Sequence, residues 1–109
     1  MNPQPVEVWL ADLGLAAKTR PVVIVSRHDP DPPRALILYV PVTTQNRQSL
    51  YEVPLPQLRF LGRGSVANGQ GLGSLPRARL DRRLGKLPPV VMDQIKRALV
   101  FALDLEAKA

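Results

Sequence analysis

The sequence predicts a mainly β fold, a small barrel carrying one C-terminal helix. Three observations predict it. Segments 20–27 (RPVVIVSR) and 35–42 (ALILYVPV) are continuous apolar runs rich in β-branched residues, short enough to be buried strands. Five of the seven glycines crowd into positions 62, 64, 69, 71 and 73, which suits short strands joined by tight turns. The clearest helical periodicity is confined to 90–105. With 109 residues, of which 45% are hydrophobic and only 5% aromatic, the chain is sized for one domain over 1–109 with an aliphatic core.

Taken in order, 6–13 (VEVWLADL) alternates loosely and reads as the first strand, with Pro3 and Pro5 holding off earlier structure. A short connection, 14–18, leads to the strand at 20–27, whose Pro21 sits at the strand start, where proline is tolerated. Segment 28–34 (HDPDPPR) is a surface loop. The strand at 35–42 follows, with Pro41 marking a bend or bulge, and then the polar stretch 43–49 (TTQNRQS). A fourth strand is expected at 50–55, an irregular segment at 54–61, and weaker strands at 65–67 and 71–75. Segment 77–86 is strongly basic, and Leu80 and Leu84 stand at helical i, i+4 spacing, with Gly85 ending the turn. Pro88-Pro89 suits the opening of a helix. In 90–105 the stripe Val91, Ile95, Ala98, Leu99, Ala102 and Leu103 predicts an amphipathic helix packed on the domain.

Composition removes much chemistry. There is no cysteine and one histidine, His28, so thiolate nucleophiles, iron–sulfur clusters, cysteine-ligated zinc and two-histidine mechanisms are excluded. No metal site and no cofactor are expected. No apolar stretch is long enough to span a bilayer, and the N-terminus lacks signal-peptide character, which predicts a cytoplasmic protein without membrane contact. Fifteen lysines and arginines against nine acids give a net charge of +6, and the excess is mostly arginine, suited to planar phosphate contacts.

A polyanion with its own nucleophile fits this inventory. Cleaving RNA through its 2′-hydroxyl needs a proton acceptor, a proton donor for the leaving 5′ oxygen, and positive charge facing the phosphorane. No metal is required. Two segments offer charge beside hydroxyls: Lys18-Thr19-Arg20-Pro21 at the entry to the second strand, and Thr43-Thr44-Gln45-Asn46-Arg47 just past the third. If those strands are neighbours, both segments open onto one rim. Trp9 is suited to packing, to a dimer contact or to stacking a base.

In this order and spacing the chain resembles the MazF/PemK family of toxin endoribonucleases. The matching stretches are Val8-Trp9-Leu10-Ala11-Asp12-Leu13, Arg20-Pro21 with the following β-branched run, Val40-Pro41-Val42-Thr43-Thr44-Gln45, Tyr51-Glu52-Val53, Ser65-Val66 with Gln70, Arg79-Leu80, Gly85-Lys86-Leu87 and the final helix. The resemblance implies an SH3-like barrel of the CcdB/PemK type, a homodimer, and metal-independent cleavage of single-stranded RNA to 2′,3′-cyclic phosphate and 5′-hydroxyl ends. The family's catalytic arginine falls on Arg20 and its catalytic threonine on Thr43. Ser65 and Gln70 fall on positions that place RNA, and Lys18, Thr19, Thr44, Gln45 and Arg47 are the remaining expected RNA contacts. A MazE/PemI-like antitoxin is the implied protein partner. This chain departs from many members in its short first loop, Gly14-Leu15-Ala16-Ala17-Lys18-Thr19, which lacks the Gly-x-Glu-Gln pattern, and in Gly64, where an acidic residue often precedes the serine. RNA sequence preference therefore does not carry over. Two other readings remain, a gyrase poison on the same barrel and a non-catalytic SH3-like nucleic-acid-binding module. The first acts by protein contact without needing Arg20 and Thr43 as a pair; the second binds RNA and returns it whole.

Overall fold

The computed structural model describes residues 3–14 and 18–105. It has seven strands, β1 (Glu7–Asp12), β2 (Thr19–Ile24), β3 (Leu36–Thr43), β4 (Glu52–Pro54), β5 (Val66–Asn68), β6 (Gly73–Pro76) and β7 (Leu80–Lys86), followed by the helix α1 (Pro89–Ala102). Their sheet runs β4-β5-β3-β2-β1-β7, with β6 also on β3, and all pairings are antiparallel. The sheet is barrel-like, but no pairing among the described residues joins β4 to β7 to close it.

The β-branched run in β2 is continuous because both of its faces are buried. Val22 and Ile24 enter one apolar cluster with Trp9, Ala11, Ile37 and Leu75. Val23 enters a second with Val8, Val40, Val42 and the helix residues Val91, Met92, Ile95 and Ala98. Alternate residues of one strand thus feed two cores. The apolar helix face supplies the second core, and α1 begins with proline in its first turn, as expected.

β5 and β6 act as one broken strand along a single edge of β3. From Val42↔Ala67 to Tyr39↔Gly73, β3 steps back three residues while its partner advances six. The surplus is the 3₁₀ turn Gly69–Gly71. Pro41, which has no N–H to offer, falls in that gap, and β3 itself keeps an unshifted register with β2 through Pro41, so the extra residues lie on the partner and not in a bulge of β3. A Cβ on Gly71 would lie 2.6 Å from Pro41 Cγ, so only glycine lets the turn close on the proline ring.

Three expectations need correction. Segment 77–86 is not a helical turn: after a short 3₁₀ turn at Arg77–Arg79 it becomes β7. Pairing with β1, through Trp9↔Arg83 and Leu10↔Arg82, overrides the local spacing of Leu80 and Leu84. The fourth strand is shorter than 50–55, because Leu50 is 73% exposed and β4 starts at Glu52. The helix stops at Ala102, and Leu103, expected on the buried stripe, is 52% exposed. Of the expected connection 14–18, residues 15–17 lie outside the described residues.

Candidate active site

The β2/β3 pairing builds the site. Its register is Val22↔Pro41, Val23↔Val40 and Ile24↔Tyr39. Past Val22↔Pro41 the two strands part to other partners, Arg20 pairing with Ala11 of β1 and Thr43 with Val66 of β5. Arg20 and Pro21 of the first segment singled out by charge and hydroxyls still meet Thr43, Thr44 and Gln45 of the second around one hollow. Arg20 is exposed at the strand start, and buried Val22 and Val23 anchor it two and three residues on.

A hollow of about 380 Å³ lies here, lined by Arg20, Thr43, Thr44, Gln45 and Ser65, with Pro21, Val42, Phe60, Leu61 and Gly62. A second hollow of about 380 Å³ takes in Arg47, Tyr51, Glu52, Asn68 and Gln70. Thr43 and Gln45 line both, so the two form one groove with a threonine–glutamine ridge between them. Lys18 and Thr19 line neither hollow. Lys18 instead closes the β1–β2 turn, donating its amide to the Gly14 carbonyl at 2.9 Å and accepting from the Leu13 amide at 2.8 Å.

The ridge is held by its own side chains. Thr43 Oγ1 accepts the Gln45 amide at 3.2 Å, which leaves the hydroxyl proton as a donor. Asn46 Oδ1 accepts the Gln48 amide at 2.8 Å. Glu52 accepts the Arg47 amide at 3.1 Å, the Ser49 amide at 3.1 Å and the Ser49 hydroxyl at 2.8 Å. The Arg47 amide, then the Ser49 hydroxyl and amide, hold the Glu52 carboxyl below its ordinary range. On the far wall Ser65 is buried and donates its hydroxyl to the Gly62 carbonyl, so it fixes the loop before β5. Gln70 is exposed on the 3₁₀ turn, whose start Asn68 Oδ1 caps by accepting the Gln70 amide at 3.1 Å.

Sequence reasoning missed Phe60, Leu61, Glu52 and Asn68 as groove residues. The first two lie in a segment expected to be irregular, with no periodicity to place it. Glu52 and Asn68 carried a signal, since a carboxylate or amide beside a polar loop can cap that loop's amides.

Elsewhere, Trp9 is a packing residue. It is buried and donates its indole N–H to Glu7 at 3.0 Å. His28 is exposed and bonds Gln4 through Nδ1 at 2.9 Å. Among the described residues no cluster of three or more His, Cys, Asp or Glu is placed to hold a metal, and no helix is long and apolar enough to cross a membrane.

The chain can now be set beside known proteins. An endoribonuclease from a Mycobacterial species, solved in complex with its cognate antitoxin, is 27% identical and superposes with a TM-score of 0.85 over 98% of this chain and 100% of that one. The Mycobacterium tuberculosis toxin MazF-mt6 is 28% identical, with a TM-score of 0.82 over 93% of this chain and 99% of that one. A MazE–MazF complex from Deinococcus radiodurans, 22% identical, shares the fold at a TM-score of 0.78 over 97% of this chain and 99% of that one. The family model described as PemK-like, MazF-like toxin of type II toxin-antitoxin system matches residues 4–103, and the chain belongs to that family.

Proposed function

We propose that this toxin is a metal-independent, sequence-specific endoribonuclease of single-stranded RNA whose activity arrests translation and growth. The observation that carries the reading is that Arg20 and Thr43 line the same hollow at one end of a polar groove. The substrate's 2′-oxygen attacks the adjacent phosphorus. The O2′–P bond forms as the P–O5′ bond breaks, and the products end in a 2′,3′-cyclic phosphate and a 5′-hydroxyl. Solvent water takes up the 2′ proton and returns one to the leaving 5′ oxygen, so no proton is gained or lost overall. Arg20 holds the non-bridging oxygens as charge builds on them; a guanidinium with a pKa above about 12 is better suited to that than to giving up a proton. Thr43 donates its hydroxyl proton to the same phosphate. Thr44, Gln45, Arg47, Ser65 and Gln70 shape the groove, and Lys18 and Thr19 meet RNA only beyond it.

The chain acts as one domain, as a homodimer, in the cytoplasm, restrained by a MazE/PemI-like antitoxin. The Mycobacterial endoribonuclease solved with its cognate antitoxin supports both the activity and the partner. The reading is tested by mass spectrometry of an unstructured RNA incubated with the protein in EDTA. Fragments ending in 2′,3′-cyclic phosphate are expected from the wild type and not from Arg20→Ala. RNA left whole by a folded wild-type protein overturns the reading, and a supercoiling assay then decides for or against a gyrase poison.

A further inference from the structure

We propose that Phe60 is a stacking platform for a nucleobase next to the scissile phosphate, and that Gly85 is the positioning residue that holds its ring there. The proposal rests on the endoribonuclease reading above and adds how the groove grips its substrate.

Phe60 lines the first hollow together with Arg20 and Thr43. It is only half-buried, packed on the helix-side core while still bordering the hollow. Its position is set from behind. A Cβ on Gly85 of β7 would lie 2.7 Å from both Cδ2 and Cζ of the ring, so the ring rests against bare backbone and any side chain at 85 would displace it. A phosphate needs none of this. Arg20 and Thr43 supply its charge and hydrogen bond, yet the same hollow has an apolar wall of Phe60, Leu61, Val42 and Pro21. In single-stranded RNA the base faces are the large apolar surfaces, and aromatic side chains take them by stacking, with little regard to sequence. The other side of the Thr43–Gln45 ridge differs. There the side-chain amides of Asn68 and Gln70 line the hollow and suit base edges. The groove thus grips one flanking nucleotide by its face and the other by its edge.

The test measures binding without cleavage, by fluorescence anisotropy on a labelled single-stranded RNA carrying 2′-fluoro groups throughout. Phe60→Leu is expected to raise Kd about fivefold or more, the effect of losing one base stack, while Phe60→Tyr stays near wild type. Gly85→Ala is expected to raise Kd in the wild-type background and to add much less on top of Phe60→Leu, because it acts through the ring. An unchanged Kd in folded Phe60→Leu overturns the stack, and full additivity overturns the role of Gly85. If Phe60→Leu does not fold, Phe60→Trp decides: emission quenched by the RNA supports the stack, and emission unmoved overturns it. A wild-type protein that binds this probe yet leaves ordinary RNA uncut overturns the cleavage reading alone, with the stack still settled by the same Kd values. One that binds no RNA overturns both.

Discussion

Arg20 at the start of β2 and Thr43 at the end of β3 line one hollow, although they lie 23 positions apart in sequence. Arg20 precedes the buried Val22–Ile24 of β2 and Thr43 directly follows the buried Val42 of β3, so neither can shift without dragging core side chains with it. Such rigid support is what a charge-stabilising site needs.

Replacing Arg20 therefore acts on rate and leaves stability alone. Arg20→Ala is expected to slow RNA cleavage by about 10²- to 10³-fold, with thermal stability within about 0.5 kcal/mol of wild type because the residue is exposed. Arg20→Lys recovers little, since an ammonium lacks the planar fork. Thr43→Val keeps the shape and loses the hydroxyl, and it falls well below Thr43→Ser in the same single-turnover assay.

Glu52 ties the groove's polar loop to β4 through the Arg47 and Ser49 amides and the Ser49 hydroxyl. Its folded pKa lies below the ordinary 4.5, so its contribution is complete above that value and fades as the pH falls through the lowered one. Amide ¹⁵N shifts of Arg47 and Ser49 are expected to titrate together with a midpoint below 4.5. In Glu52→Gln that titration vanishes, and both amides exchange faster with solvent at neutral pH.

Glu7 is the structural counterpart, 4% exposed. It accepts the Gln4 amide at 2.9 Å, the Trp9 indole at 3.0 Å and the Arg83 guanidinium at 3.0 Å. Burial pushes its carboxyl up, but those three donors together hold it below the usual range. Glu7→Ala leaves a buried indole N–H without its acceptor and is expected to cost about 3 kcal/mol in chemical denaturation followed by Trp9 fluorescence. Arg83→Ala, at a side chain 49% exposed, costs about 1 kcal/mol or less. As a lowered carboxylate, Glu7 stabilises the fold above the ordinary acid range and ceases to as the pH drops through its folded value.

Much of this was legible in the sequence where the signal was local. The unbroken β-branching of 22–25 marks a strand buried on both faces, and the 3.6-residue repeat of Val91, Ile95 and Ala98 marks the helix face. The proposed site residues Arg20, Thr43 and Gln45 announce themselves as polar groups bounding apolar runs. What depends on distant pairing was hidden. The helical spacing of Leu80 and Leu84 says nothing of β1, which draws 80–86 into the sheet. Phe60 joins the groove only because Gly85, on that same strand, leaves room for its ring. Lys18 looked like a groove cation by adjacency to Arg20, yet its backbone is spent closing a turn at positive φ.

The most direct test of the central claim is a substrate carrying a single 2′-deoxy nucleotide at the scissile position, digested beside its all-ribo parent and read by mass spectrometry. In the proposed mechanism Arg20 and Thr43 supply charge and a hydrogen bond but no nucleophile, so the deoxy substrate is predicted to stay whole at that bond while the parent is cut. Cleavage of the deoxy bond, leaving a 3′-hydroxyl and a 5′-phosphate, would contradict the account, because water would then be the attacking group.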